Sequence, residues 1–246
     1  MATIDPDPYS EPQPPKRNHY FAGKFLGAQD LQDEQAYLID KDRRHARCLH
    51  SYGVVCGLRV RPSDPPRPRR VIVERGLALD PGGREILVPK PVEYLLNRPD
   101  QHGPIYLVIE YCEEGADLVP VPGPPDGPQG AIEPSRIVET FRLGLRREPP
   151  AGEDGLAGRL AETLAGAIRD GAEPETLHNL LAEFVSQPCQ LRRRDMAVTL
   201  AKIDLPTEGP ITEAAVDNYS YRPVALSVGQ ALSLLLGIVR LLGGER

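Results

Sequence analysis

The sequence predicts an α+β fold, in which a small antiparallel β-module follows an N-terminal helix and precedes a helical hairpin insertion and a C-terminal helix. Three observations predict it: one charged segment with helical polarity, several short β-rich segments separated by proline and glycine, and apolar residues at helical spacing after residue 155. The 27 prolines and 23 glycines make up about a fifth of the 246-residue chain, against roughly 12 % in ordinary domains. We therefore expect much of the backbone in turns and linkers.

The first regular element is a charged helix that follows a proline-rich segment. Residues 1–16 are polar and rich in proline, which is typical of a flexible arm that orders only against a partner. They contain no apolar run, so we expect no secretory signal. A helix is predicted from about Asp30 to His50, with Asp30 as its N-cap and basic residues at its far end, an arrangement that complements the helix dipole. Its apolar face is thin, so we expect much of it to be solvated or to face other chains.

Two hairpins are predicted after this helix. Residues 54–60 and 71–73 have β-composition and are separated by a loop that is too rich in proline to continue a strand. Residues 77–80 and 85–88 flank Pro81, Gly82 and Gly83, where glycine can supply the positive φ of a tight turn. The β-module is therefore expected to contain both hairpins.

Further strands are predicted along the rest of the chain, at residues 105–111, 137–145, 196–205 and, as the weakest pattern, 211–216. Alternation in the first of these places one set of side chains over a core: Ile105, Leu107, Ile109 and Tyr111. The stretch between them, residues 119–130, is expected to break all regular structure because it is dominated by proline and glycine.

A domain boundary is predicted at residues 149–155, where the apolar spacing changes from period 2 to helical. Beyond it, residues 156–185 predict two short helices that form a hairpin. We therefore expect a flexible arm at 1–16, a helix plus β-module at 17–148, and a helical hairpin, strands and a C-terminal helix at 149–246. The last two parts can also form one domain.

The C-terminal helix, predicted over Val224 to Leu242, has the spacing of a coiled-coil seam. Steps of four and three residues separate its apolar positions, which are Val228, Leu232, Leu235, Val239 and Leu242. Such a face must be covered, either in the core or between subunits. A membrane anchor is the alternative, although Gln230 and Arg240 interrupt a run that is already short for a span.

Neither the composition nor the motifs predict a nucleic-acid partner, a metal site or an enzymatic activity. The formal charge of -6 argues against a nucleic-acid partner. The four cysteines form no C-x-x-C pair, and His45, Cys48 and His50 lack the spacing of a zinc site. Hydrolase, metalloprotease and nucleotide-binding motifs are missing. We therefore expect no catalytic residues, no metal and no cofactor, and we interpret Asp80 as a turn residue.

Four segments together resemble a group of tail-associated structural proteins of bacterial contractile injection systems and phage-tail-like particles. They are residues 19–24 (HYFAGK), 30–37 (DLQDEQAY), 43–50 (RRHARCLH) and 53–60 (GVVCGLRV). The next segment, residues 76–86 (GLALDPGGREI), is similar to a β-turn element near the bases of phage tail fibres and baseplate proteins. The resemblance is good over residues 17–88 and patchy beyond. Related sequences often carry several cysteines before the strand at 198–203, where this chain has only Cys189.

This resemblance implies assembly and attachment rather than catalysis. It implies a cytoplasmic protein incorporated into a phage-tail-like particle at the baseplate, the fibre base or the capped tube end, with other tail or baseplate proteins as partners. A homo-oligomer, either a trimer or a six-fold ring, is expected from the symmetry of such particles. The residues expected to bind partners are Tyr20, Phe21, Lys24, Arg43, Arg44 and Arg47, together with Val228, Leu232, Leu235, Val239 and Leu242.

Two alternatives remain open at the level of sequence. The first is a cytosolic enzyme whose site is assembled from scattered residues such as His45, His50, Asp80 and Glu85. The second is a membrane-associated adaptor that uses the C-terminal helix. Deleting that helix separates the second from the assembly interpretation, because a membrane adaptor would lose liposome binding and an assembly protein would lose its oligomer.

Overall fold

A computed structural model describes residues 14–96, 103–121, 130–148 and 195–226, together with separate helical positions within 163–186 and 229–236. The chain divides into two units, one of Gln13–Glu148 with Arg194–Arg246 and the other of Met1–Pro12 with Pro149–Arg193. The first unit holds the β-module and most of the described residues. The predicted arm lies outside the described residues except for its last three positions.

The elements described from end to end are one α-helix, ten strands and one short 3-10 helix. In chain order they are α1 (Ala28–Leu49), β1 (Gly53–Gly57), β2 (Val60–Pro62), β3 (Arg70–Val73), β4 (Gly76–Leu79), β5 (Glu85–Val88), β6 (Val92–Leu95), β7 (Gly103–Pro120), β8 (Ile132–Arg146), β9 (Val198–Leu205), the 3-10 helix Glu213–Ala215 and β10 (Val216–Asp217). The α+β class is confirmed, with strand as the main component of the described part.

The start of α1 differs from the predicted cap. Gly27 is the N-cap, and Asp30 is the third residue of the helix, where its carboxylate accepts a hydrogen bond from the Gly27 N–H at 3.1 Å. This bond and the neighbouring Lys24 ammonium lower the pKa of Asp30. Predicting Asp30 as the N-cap was therefore wrong by three positions, although its carboxylate does satisfy a donor at the helix start.

Both predicted hairpins are confirmed, but the first strand of the module is split. β2 pairs antiparallel with β3, and β4 pairs antiparallel with β5. Gly57 and Leu58 adopt positive φ of 63° and 54°, which ends β1 before β2 begins. β1 then pairs with β4, so the two halves of the predicted strand at 54–60 belong to different three-stranded sheets, β1-β4-β5 and β2-β3-β6.

A four-stranded antiparallel sheet, in the order β10-β9-β7-β8, carries the longest strands. β7 has 18 residues and β8 has 15, and they pair along almost their whole lengths. The prediction that residues 119–130 lack regular structure was therefore wrong for Val119 and Pro120, which pair with Glu133 and Ile132. Cross-strand pairing over this distance overrides the local composition.

The central strand β7 is also buried on both faces rather than one. Ile105, Leu107 and Ile109 are buried as predicted, and the intervening Tyr106 and Val108 are buried as well. The predicted strand at 211–216 is wrong, because a 3-10 helix occupies 213–215 and only a two-residue strand follows. β6 was not predicted.

One hydrophobic core joins the three sheets. Its members come from every sheet of the module and include Val54, Val60, Val71, Val73, Ala78, Ile86, Val88, Ile105, Leu107, Ile109, Val198, Leu200 and Ile203. Because β9 pairs with β7 between Gly103 and Ile109, the segment after residue 195 completes the same sheet as the N-terminal strands.

The two helical predictions in the second half of the chain fall largely outside the described residues. Residues 229–233 and 236 are helical, as are separate positions within 163–186. Val224 is instead extended and forms a parallel bridge with Val54, so the C-terminal helix cannot begin there as predicted. The hairpin and the C-terminal helix stay predictions. Within the described residues, no helix is both long and apolar enough to cross a membrane.

Candidate assembly surface

The helix α1 is a strongly exposed element of the β-module unit. None of its 22 residues, all of which are described, is buried. Its large apolar side chains point into solvent, with Leu31 57 %, Leu38 58 % and Leu49 63 % exposed. A helix in a globular protein is normally stabilised by burying one apolar face, so α1 has a face available for another surface.

The helix approaches the β-module at the turn between β4 and β5. Gly83 has a φ of +83°, and a Cβ placed on it would lie 2.1 Å from the main-chain oxygen of Arg43. Only glycine combines this backbone conformation with so close an approach. The turn therefore fits against the main chain of α1 in its C-terminal half.

Tyr111 on β7 lies beside two arginines at this contact. The guanidinium carbon of Arg43 is 5.6 Å from the centre of the Tyr111 ring, and that of Arg84 is 4.9 Å from it. These distances are those of cation–π interactions. The Tyr111 hydroxyl donates a hydrogen bond of 2.7 Å to Glu113, which also pairs with Arg43 at 3.2 Å.

The surroundings of Tyr111 keep its hydroxyl protonated. Burial raises its pKa most, and hydrogen bonds to the carboxylates of Glu113 and Glu139 raise it further. The protonated phenol donates its hydrogen bond to Glu113, which in turn pairs with Arg43. The cluster formed by Arg43, Arg84, Tyr111 and Glu113 is thus a structural clamp between α1, the β4–β5 turn and β7.

Asp80 sets the position of Arg84 in this clamp. Its fully buried carboxylate accepts backbone hydrogen bonds from Gly82 at 2.8 Å and Arg84 at 2.9 Å, and it pairs with the Arg84 side chain at 2.6 Å. The interpretation of Asp80 as a turn residue agrees with these bonds. Its oxygens hold the turn that supplies both Gly83 and Arg84.

A shallow groove of about 300 Å³ runs between α1 and the clamp. Leu38 and Ile39 form its apolar wall, and Asp42, Glu85 and Glu139 are charged residues of its lining. Ligand pockets are usually enclosed, whereas this groove is open and five of its nine lining residues are charged. Its shape suits contact with a protein surface rather than enclosure of a small molecule.

The segment before α1 carries further exposed aromatic residues. Tyr20 is 46 %, Phe21 62 % and Phe25 91 % exposed. Lys24 pairs with Asp30 at 3.0 Å and lies 5.3 Å from the Tyr20 ring centre, while the Tyr20 hydroxyl bonds to Glu34. These contacts hold the segment along the first turns of α1, so its aromatic residues extend the exposed surface of the helix.

A second exposed surface is the outer part of the β7–β8 hairpin. β9 pairs with β7 only as far as Ile109, and within the described residues no strand continues that pairing along the outer half. This two-stranded ribbon exposes Leu118 (66 %), Ile132 (69 %) and Ile137 (59 %). An isolated two-stranded ribbon is at best marginally stable in water, so a ribbon of this length is typical of a segment that packs against another surface.

The segment after β10 is held firmly to the β-module. The buried Asn218 side chain accepts a hydrogen bond from the Val60 N–H at 2.8 Å and donates one to the Val60 carbonyl at 2.9 Å. Arg222 donates to the carbonyls of Gly57 and Leu58, and burial lowers its pKa. Val54 then pairs with the backbone on either side of Val224. The C-terminal segment therefore leaves the module from a fixed point.

The structure places the predicted partner-binding residues in different settings. Arg44 pairs with Asp40 on the same helix, and Arg43 lies in the clamp. The Nε atom of Arg47 is buried and has no hydrogen-bond partner in the described part of the chain. Leu232 is 54 % exposed, whereas Val228, Leu235, Val239 and Leu242 lie outside the described residues. The binding roles of the whole set stay predictions.

The residues of the enzyme alternative show structural or surface roles. His45 and His50 contact each other with ring centres 5.2 Å apart on the exposed end of α1. The carboxylate of Asp80 accepts hydrogen bonds within its own turn, and Glu85 lines the groove. No group of three metal-ligating side chains occurs within the described residues. These four residues do not share a deep apolar pocket in that part of the chain.

Sequence reasoning did not find Tyr111, Glu113, Asn218 or Arg222 as residues of importance. Tyr111 was recognised only as a core-facing position of its strand. Asn218 and Arg222 lie more than 150 residues from the backbone groups that they bind, so no local pattern could identify them. Asp217 and Asn218 are residue types that are common in turns. This pair is the one local pattern in the segment, and it predicts a turn rather than a contact with Val60.

Comparison with known proteins gives two solved structures with partial likeness. One is a chain of the type VI secretion system TssK-TssF-TssG baseplate subcomplex, with 16 % identity, a TM-score of 0.45, and coverage of 93 % of this chain and 68 % of that chain. The other is a chain of the baseplate complex from the type VI secretion system, with 15 % identity, a TM-score of 0.42, and coverage of 94 % and 66 %. This chain therefore spans about two thirds of their length.

No family model matches the chain, and no curated protein matches it. Both structural neighbours are chains of baseplate complexes of the type VI secretion system. At these TM-scores the likeness carries no assignment of function.

Proposed function

We propose that this chain is a non-enzymatic structural or adaptor component of a contractile injection system or phage-tail-like particle. It mediates subunit assembly and attachment at the baseplate, the fibre base or the tube end. The resemblance of residues 17–88 to tail-associated proteins supports the class of particle. The exposure of α1 supports an assembly role and is the single observation that carries the proposal.

The energetics of α1 explain why its exposure matters. An isolated helix gains little stability in water, because most helical stability in proteins comes from packing an apolar face. Within the described residues, the body contacts α1 at the Gly83 backbone and in the clamp around Arg43 and Tyr111. The rest of the helix keeps apolar side chains such as Leu31 and Leu38 in solvent. Packing against another protein would remove this apolar surface from water.

The partners in this proposal are other tail or baseplate proteins and further copies of the chain. The proposed binding surface comprises Tyr20, Phe21 and Lys24 with the exposed side of α1, and the seam of the predicted C-terminal helix is a second element. Homo-oligomerisation as a trimer or six-fold ring is part of the proposal. So is a cytoplasmic location before incorporation into the particle.

The absence of catalysis is likewise part of the proposal, and the settings of the candidate residues support it. An acid or base needs a carboxylate or imidazole that can reach a substrate. Asp80 is fully buried and its oxygens are occupied by the turn. His45 is exposed on α1 and outside the clamp. Asp80 therefore has a structural role in its turn, and His45 lies apart from it on α1.

The experiment is to purify the particle from the organism that encodes the chain and to analyse it by mass spectrometry and electron microscopy. We expect the chain at a fixed stoichiometry, with its β-module fitted into density at one end of the particle. A matched preparation from a strain that lacks the gene should lose that density and, where the chain is needed for attachment, the neighbouring fibres or cap. An intact wild-type particle that does not contain the chain contradicts the proposal.

A further inference from the structure

A pocket of about 280 Å³ lies between the segment after β10 and the link that joins β1 to β2. We call it the Arg222 pocket, and its lining consists of Arg59, Asn218, Tyr219, Arg222 and Val224. Two of these side chains are cationic and none is a carboxylate. The lining is therefore positive, although the whole chain has a formal charge of -6.

Arg222 carries a positive charge that no carboxylate balances in the described part of the chain. Its guanidinium donates to the main-chain oxygens of Gly57 and Leu58 and, at 3.4 Å, to the side chain of Asn218. These three acceptors are neutral, and a guanidinium has five N–H groups. None of the ion pairs between described residues includes Arg222. The donors that remain for another acceptor are the Nε–H and one N–H of Nη2.

Burial makes this uncompensated charge costly. Arg222 is half-buried, and burial lowers its pKa. A charged group that is removed from water is normally paired with an opposite charge. A carboxylate suits the two remaining N–H groups of Arg222, because guanidinium and carboxylate groups often form two parallel hydrogen bonds.

The backbone on both sides of the pocket is fixed to the β-module. The main-chain oxygen of Pro223 accepts a hydrogen bond from the Val54 N–H at 2.8 Å, and that of Arg59 accepts one from the Glu74 N–H at 2.9 Å. The guanidinium of Arg222 is itself held by the main chain of Gly57. A preformed site binds a ligand with a smaller loss of conformational entropy, so these bonds favour binding in the pocket.

The rim of the pocket favours a carboxylate of a protein over a free anion. Arg59 already pairs with the carboxylate of Glu213 at 3.4 Å. One further negative charge therefore balances the pocket, whereas a phosphate group carries nearly two near neutral pH. Tyr219 is 86 % and Val224 55 % exposed, and their surfaces can cover the aliphatic part of an acidic side chain. Tyrosine and arginine are also enriched among the residues that contribute most to protein interfaces.

We propose that the Arg222 pocket binds an aspartate or glutamate side chain of another protein of the particle. The carboxylate accepts hydrogen bonds from the remaining N–H groups of Arg222, and its aliphatic part lies against Tyr219. A two-fold contact between copies of this chain would bring two such pockets together and oppose like charges. The partner is therefore a different protein with an acidic segment. The inference deepens the proposed function and rests on it for the identity of this partner.

The first experiment is a titration of the purified full chain, followed through the NMR signal of the Arg222 Nε–H. Loss of this signal in Arg222→Lys assigns it. The probe is a capped triglutamate peptide, and a capped triglutamine peptide is the uncharged control. We expect a saturable shift with a Kd of about 1 mM, the range of a contact that involves few atoms, and no shift with the control. The absence of a saturable shift up to about 10 mM triglutamate would overturn the proposal.

Two comparisons distinguish this pocket from a general attraction of anions. Tyr219→Ala should raise the Kd of the peptide roughly fivefold, whereas Leu87→Ala, at an exposed position on β5, should leave it unchanged. Both side chains are exposed, so the urea midpoint should not fall in either variant. Equal effects of the two variants on the Kd would contradict the assignment to this pocket. An equal shift by inorganic phosphate at matched ionic strength would overturn the choice of a carboxylate.

The second experiment examines the pocket in the purified particle. Arg59→Lys puts an amine at the pocket, and a carbodiimide joins amines to carboxylates that are in direct contact. We expect mass spectrometry to find the new lysine joined to a carboxylate of a different particle protein, in addition to the link with Glu213 that the chain alone also forms. The matched control Arg136→Lys, at an exposed position on β8, should not form that link. Links of the new lysine to this chain only would overturn the proposal.

The inference and the proposed function fail separately. A particle that lacks the chain contradicts the proposed function and the choice of partner, while the titration still decides whether the pocket binds a carboxylate. A chain that is present in the particle but shows no saturable shift with triglutamate contradicts the Arg222 pocket alone.

Discussion

The main-chain oxygen of Arg43 on α1 lies 2.1 Å from the point where a Cβ on Gly83 would be. The turn between β4 and β5 therefore touches the helix with its backbone. The side chains of Arg43 and Arg84 meet on Tyr111 beside this contact. Within the described residues, a backbone contact and a charged aromatic cluster thus hold to the body a helix that has no buried residue.

Gly83→Ala is expected to loosen α1 from the β-module. The substitution adds the strain of a positive φ, about 1 kcal/mol, and a clash that the main chain of α1 must move to relieve. Hydrogen exchange followed by mass spectrometry should show faster exchange in residues 40–49. The strands should keep their protection.

The matched control for this prediction is Gly209→Ala. Gly209 has a φ of +87°, but nothing within the described residues lies within 4 Å of its Cβ position. Gly209→Ala should lower the stability through the strain of the positive φ alone. The hydrogen exchange of α1 should stay unchanged. If both variants leave the exchange of α1 unchanged, the Gly83 contact does not hold the helix.

Tyr111→Ala should release the same end of α1 by a different route. The change removes the ring beside both arginines and the hydroxyl that orients Glu113. Tyr111→Phe keeps the ring and loses only one hydrogen bond, which is worth about 1 kcal/mol. We expect the alanine variant to lower the free energy of unfolding by about 3 kcal/mol or more and the phenylalanine variant by about a third of that. Equal losses in urea titrations would argue against the role of the ring.

Asn218→Ala should destabilise the whole β-module. The Asn218 amide satisfies both the N–H and the carbonyl of Val60 in a buried setting. Its removal leaves two polar backbone groups without these partners, a loss of about 2–4 kcal/mol. Thr212→Ala, at an exposed position of the same segment, should change the urea midpoint little. If Asn218→Ala leaves the urea midpoint unchanged, water replaces the hydrogen bonds of the side chain.

Asp217 gives the module a defined sensitivity to acid. Hydrogen bonds from Ser220 and Tyr219 lower the pKa of Asp217 in the folded chain, below the ordinary value of about 3.9 of an unfolded aspartate. Its contribution to stability is therefore complete above that value and is lost as the pH falls through the lowered folded pKa. The difference in urea midpoint between wild type and Asp217→Ala should be largest near neutral pH and should shrink below about pH 4. A difference in urea midpoint that stays the same at every pH would contradict the lowered pKa of Asp217.

Several elements could be predicted from sequence because local chemistry defines them. The charge polarity of residues 30–50 located α1 to within two residues of each end. Proline and glycine located the β2–β3 and β4–β5 hairpins. The cap of α1 was misplaced because Gly27 has no side chain to signal it, and Asp30 performs a similar task three residues later.

Other features depend on contacts that are distant in sequence. The positive φ of Gly57 and Leu58 divides one β-rich segment between two sheets, and only the pairing partners reveal this. The full length of β7 requires β8 beside it. The cluster around Tyr111 joins residues from α1, the β4–β5 turn and β7, so no spacing within one segment could identify it.

The most direct test of an assembly role for α1 is hydrogen exchange of the chain alone and within the purified particle. We predict that the amides of residues 28–49 are weakly protected in the chain alone, because none of these residues is buried. In the particle they should become strongly protected, with the core strands β7 and β9 unchanged. Unchanged exchange of α1 in a particle that contains the chain would contradict the account.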